Sequence, residues 1–199
     1  VVKLSDLLHR DEVKKIKEAA LKIELIADEI EAKAKDQYRQ YEKNKERIKE
    51  LLKVRDKDDP QVRSYAQIAA MLLITSQRLL ILSSSLKLAA NQLAVTASLK
   101  EVARTINEAL KSVKITGLED TVKYIATFSD VSEFLRHVDT ITNKIIQQIS
   151  TSASEESVKQ ADKIIEIAST EMEMETKEGV SEEEIKKKIS KLEREIAGL

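Results

Sequence analysis

The chain has 199 residues, 34 of them basic and 35 acidic, with three glycines, one proline, no cysteine and no tryptophan. So little Gly and Pro beside 35% charged residues excludes a turn-rich β fold and predicts an almost wholly helical protein. An aromatic content of 3% excludes a core built on large rings, and the lack of cysteine excludes a disulfide framework and predicts an intracellular home.

Residues 1–10, VVKLSDLLHR, form a short apolar and charged segment. It reads either as an end stapled to the next helix or as the remnant of an amphipathic membrane anchor. No signal-peptide pattern is present, and an opening Val1 in place of Met suggests that N-terminal sequence has been lost.

From about residue 11 to 53 the spacing predicts one long helix. Val13, Ile16, Ala20, Ile23, Ala27, Ile30, Ala34, Gln37, Tyr41, Asn44, Ile48 and Leu51 step by three and four, a heptad seam. Seam alanines invite close approach of a second helix, and polar Gln37 and Asn44 suggest register control. Residues 54–59 are a brief polar connector, which implies an antiparallel hairpin. Asp58 or Asp59 caps the second helix, and Pro60 opens it.

The second helix is expected over about 61–115, since neither Gly nor Pro occurs between Pro60 and Gly117. Its seam runs Tyr65, Ala69, Leu72, Ser76, Leu79, Ser83, Leu86, Ala90, Leu93 and Ala97. Leu73, Leu80, Leu82 and Leu88 fall off the seam, so a hairpin alone would expose an apolar patch of the kind that marks an interface. Gln77, Arg78, Lys87, Asn91 and Gln92 interrupt the apolar run and argue against a membrane span.

After Gly117 the expected elements are short: residues 118–128, then 131–150 capped by Ser129 or Asp130. A polar linker follows over 150–157, then a helix from 158 to about 177. Ser181 and Glu184 form a capping box for a last helix. The fold class is therefore all-α, a long antiparallel hairpin (about 11–53 and 61–115) followed by shorter helices. The expected division is an N-terminal segment 1–10, a helical core 11–150 and acidic C-terminal helices 151–199. Residues 1–115 hold 23 basic and 17 acidic groups, net +6, and residues 116–199 hold 11 and 18, net −7. That asymmetry lets an acidic tail fold over a basic front, or lets the front serve acidic surfaces.

Chemistry is sparse. His9 and His137 are the only histidines, and no phosphate-loop, dinucleotide or nucleophile-elbow pattern occurs. No catalytic, cofactor-binding or metal-ligating set is expected, and the chain does not read as an enzyme. The basic residues are interleaved with acid and poor in aromatics, which argues against nucleic acid.

The order of elements, with VRSYAQIAAMLL entering an Ala/Leu/Ser-rich helix, then LKEVARTINEALKSV, then short helices and an acidic tail, resembles the ESCRT-III superfamily, and within it the archaeal CdvB-type cell-division proteins. The resemblance covers most of residues 11–150. It implies a homo-polymer, with paralogous subunits, that remodels or severs membranes in cell division or vesicle budding. The second and third helices would fuse on opening, and the acidic tail would autoinhibit. Location would be cytoplasmic and peripheral, on the inner face of the cell membrane. Lys14, Lys15 and Lys22 would meet anionic lipid, and Leu72, Leu73, Leu79, Leu80, Leu82, Leu86 and Leu93 would supply subunit contacts. Glu182, Ile185, Lys188, Ile189 and Leu192 match the spacing of a motif read by the adaptor domain of an AAA-type ATPase, although Glu193 stands where that motif carries a base. The fourth-helix region, TVKYIATFSDVSEFLRHVDT, departs from the family's Met- and acid-rich pattern. The alternative is a coiled-coil scaffold, or a protein resembling the phage-shock-type membrane-repair proteins, with no scission role.

Overall fold

A computed structural model describes residues 4–128, 130–177, 179 and 181–199. The chain is all-α, its first long helix packed against its second. In order, the helices are α1 (Leu4–Leu52), α2 (Pro60–Thr96), α3 (Leu99–Ser112), α4 (Glu119–Ile125), α5 (Val131–Thr176) and α6 (Glu182–Ala197). The chain divides into two compact units, Val1–Ala32 with Leu79–Gln148 and Lys33–Arg78 with Ile149–Leu199. Both therefore draw on α1, α2 and α5.

The hairpin forms where the heptads place it. Ile23, Ala27, Ile30, Ala34, Tyr41 and Ile48 of α1 are buried, as are Ala69, Leu72, Leu79, Leu86, Ala90 and Leu93 of α2. Asp59 caps α2, its Oδ1 accepting from Gln61 N–H at 2.8 Å. Register is held by hydroxyls. In the first unit Ser83 Oγ donates to the Ala27 carbonyl at 2.8 Å, and in the second Ser76 Oγ donates to the Ala34 carbonyl at 2.9 Å. Contacts this short require alanine opposite serine, and each bond is worth about 1 kcal/mol. Asn44, expected to set register, instead bonds its own helix at the Gln40 carbonyl.

Three expectations are corrected. The helix expected from about residue 11 already runs from Leu4; Val1, Val2 and Lys3, which the anchor reading needs, lie outside the described residues, as do the side chains of Leu4, Leu7 and Leu8. The stretch 61–115 is two helices. α2 stops at Thr96, Ala97 takes the left-handed conformation (φ 54°), and Ser98 caps α3 by accepting from Glu101 N–H. The expected linker 150–157 is helical and lies within α5. Serine alone does not break a helix: Ser157 Oγ bonds back to the Ser154 carbonyl, and Ala153 is fully buried. Ser129 lies outside the described residues, and Asp130 supplies the cap of α5 by accepting from Ser132 N–H.

In the first unit, α3 buries Val102, Ile106 and Leu110, and α4 buries Val122 and Ile125. In the second, Leu73 and Ile74 of α2 pack with Ile164, Ile165 and Ile167 of α5 and Ile189 and Ile196 of α6. By length and composition α2 could cross a membrane, but 61% of its apolar window is buried within the chain.

Candidate functional site

The second unit is built around a docked C-terminal helix. In α6, Ile185, Ile189, Leu192 and Ile196 recur at intervals of four, three and four, so they share one face. Ser181 starts the helix by accepting from Glu184 N–H, and Gly198 ends it in the left-handed conformation (φ 74°). Ile189 and Ile196 are buried, and Ile185 and Leu192 pack half-buried against the cluster that holds Tyr41, Ile48 and Ile165. The expected adaptor motif is thus split. Its apolar members are occupied, while Glu182 and Lys188 face solvent, paired with Lys186 at 2.9 Å and Glu166 at 3.7 Å.

Arg78 holds the far end of α6. Its side chain is 1% exposed, and each guanidinium nitrogen donates a hydrogen bond. Nε donates to the Ala197 carbonyl at 3.3 Å, Nη1 to Ser152 Oγ at 3.1 Å and Nη2 to Glu156 Oε2 at 2.6 Å. A cation on the last carbonyls of a helix also meets the negative end of its dipole. One arginine therefore ties α2 to α5 and α6.

The charge asymmetry of the sequence reappears as paired groups. Lys45 of α1 bridges Glu42 at 2.8 Å and Glu171 of α5 at 2.7 Å; Lys49 bridges Glu46, Glu171 and Glu175. Both lysines are buried. Burial pulls their pKa down, but the surrounding carboxylates outweigh it and hold both above the ordinary range. Arg63 pairs Asp162 at the exposed edge, 2.5 Å apart. Beside this cluster Tyr38 donates to Glu193 Oε2 at 3.3 Å. Burial, assisted by Glu42 and Glu171, raises the Glu193 carboxyl against the opposing pull of Lys45 and Tyr38. The buried Tyr41 hydroxyl has no hydrogen-bond partner among the described residues.

No protein-family model, curated protein or solved structure matches the chain.

In the first unit Lys14, Lys15 and Lys22 are exposed, and Lys14 lies 4.0 Å from Glu18. Leu21 and Leu25, which the heptad reading left aside, share that solvent side, 57% and 54% exposed. In the second unit Arg39, Lys43 and Arg47 recur every four residues on the exposed side of α1. The leucines expected at subunit contacts are largely covered by the chain itself. Leu72, Leu73, Leu79, Leu82, Leu86 and Leu93 are all buried inside one chain, and Leu80 is half-buried. The large apolar residues that α2 does present are Ile68, Leu88 and Val95, 41%, 51% and 77% exposed.

A cleft between α3 and α4 is lined by Lys100, Arg104, Lys111 and Lys123 alternating with Glu101, Glu108 and Glu119. It contains no histidine and no nucleophile–base pair. Among the described residues no group of three His, Cys, Asp or Glu side chains could hold a metal. Arg78 and Glu193 were missed by periodicity, which registers apolar positions. The signal for Arg78 was a lone cation in the middle of an apolar run.

Proposed function

We propose that this chain is a non-enzymatic, filament-forming subunit that remodels anionic membranes, of the ESCRT-III kind and closest to its CdvB-type branch. It would act in archaeal cell division or vesicle budding. Its partners would be further copies of itself, paralogous subunits, the inner face of the cell membrane and an AAA-type ATPase.

The observation that carries this reading is Ala97. Left-handed backbone costs a non-glycine residue about 1–2 kcal/mol, yet the break at Ala97 lies in a stretch with no Gly or Pro from residue 61 to 116. The same sequence is compatible with one continuous rod, so the bend is one of two available states. Straightening would move α3 and remove its cover from the first unit. The buried leucines of α2 would then become available to another copy. Docked α6 is the second support, since its apolar face is withheld from any adaptor until it leaves. The exposed lysines and leucines of α1 supply a surface for anionic lipid, each cation worth about 1 kcal/mol near such a surface.

The test uses the full chain. Ile189→Asp with Ile196→Asp would expel α6, and the protein would be viewed by electron microscopy and pelleted with anionic liposomes. Filaments or rings are expected, with pelleting abolished by Lys14→Glu, Lys15→Glu and Lys22→Glu together. A stable dimer with α6 in or out, and pelleting indifferent to the lysines, would replace this reading with the plain coiled-coil scaffold.

A further inference from the structure

Glu193 is misplaced for a stable helix dock. It lies on the inward side of α6, beside Ile189 and Ile196, where the other contacts are apolar. The groups that face it come from two helices. From α1 these are Tyr38, Tyr41, Glu42 and Lys45, and from α5 Glu171. Two of them are carboxylates, and the nearest cation, Lys45, is already held by both at 2.8 and 2.7 Å. Arg78 of α2, at the end of α6, is committed to Glu156. Lys163 reaches Glu195 and Lys188 reaches Glu166. Among the described residues Glu193 itself receives a hydrogen bond from Tyr38 alone, at 3.3 Å. An ionised Glu193 thus enters a half-buried site whose facing cation, Lys45, is already shared between two carboxylates.

We propose that docking of α6 is proton-linked through Glu193, so that the tail is held tightly in acid and released more readily as the pH rises. This stands apart from the membrane reading, because it concerns only α1, α5 and α6 of one chain. The sign follows from linkage. In the docked state the Glu193 carboxyl is raised by burial and by Glu42 and Glu171, whereas in the released helix it returns to about 4.5. The docked form therefore binds the proton more tightly. Its advantage is full below the released value, declines as pH rises through the docked value, and is flat above that. One titrating group limits the slope to about tenfold in the docking equilibrium per pH unit. Lys45 and Lys49, both held above the ordinary lysine range, stay charged throughout and contribute no slope. Glu175, held low by Lys49, acts only below the released value and belongs to α1 and α5.

Amide hydrogen exchange across α6, corrected for the intrinsic rate at each pH, measures the opening directly. In the wild-type chain the opening constant should rise several-fold between pH 5 and 8, reaching a plateau. Glu193→Gln, isosteric and uncharged, should be flat with pH and at least threefold less open at pH 8. Tyr38→Phe removes the one donor that favours the carboxylate, so its rise should move to higher pH. Equal slopes in wild type and Glu193→Gln, or an opening that increases on acidification, would overturn the proposal. A flat wild-type profile would do so as well.

Discussion

Replacing Arg78 with methionine isolates the arginine latch, because methionine keeps most of the aliphatic volume and removes only the guanidinium. Three partners lose their donor: Glu156 at 2.6 Å, Ser152 at 3.1 Å and the Ala197 carbonyl at 3.3 Å. Removing one member of a buried ion pair costs about 3–5 kcal/mol. Glu156 is 37% exposed and regains water, which argues for the lower end. Ser152 retains Glu156 at 3.4 Å. The Ala197 carbonyl lies on a residue only 1% exposed, and a buried acceptor left unpaired costs about 1–3 kcal/mol. The lower ends of the two together give about 4 kcal/mol, which for a chain of this size lowers Tm by about 8–16 °C. Urea unfolding and thermal melts followed by circular dichroism read the loss, and hydrogen exchange should place much of it in α6. A change within about 0.5 kcal/mol would mean that the cost of drying the guanidinium cancels its contacts, and the latch would be refuted. Adding Glu156→Met should restore part of the loss, since an apolar pair leaves no stranded charge.

Two further outcomes concern the corrected elements. Ala97→Gly should stabilise the bent form by about 1 kcal/mol by removing the left-handed penalty, seen as a higher Tm and, on the proposed function, fewer filaments after α6 is expelled. Limited proteolysis should spare residues 150–157 at protease levels that cut the connector at 53–59; early cleavage between Ser150 and Ser157 would restore the linker.

The hairpin was legible because its seam is written in small and branched apolar residues at heptad spacing, and burial follows that spacing from Ile23 to Ile48. What hid the rest was local ambiguity. The bend at residues 97–98 has no Gly or Pro to announce it, although Ser98 with Glu101 three residues later is a capping pattern. The serines of residues 150–157 resemble a linker by composition, yet one of them feeds Arg78 and another bonds back to its own helix. The off-seam leucines pointed to a partner, and the partner of Leu73 proved to be the chain's own later helices. Glu193 was noticed only as a mismatch to a motif. Its setting between Glu42 and Glu171 arises from residues far apart in sequence, which no spacing rule connects.

Arg78 and Glu156 are separated by 78 residues, and that gap has a meaning during synthesis. At about 5–20 residues per second, α2 leaves the ribosome about 4–16 s before its counter-ion is made. Throughout that interval the nascent hairpin carries Arg78 without its counter-ion, in the middle of an apolar helix long enough to cross a membrane, where a central arginine costs about 2.5–3.5 kcal/mol to insert.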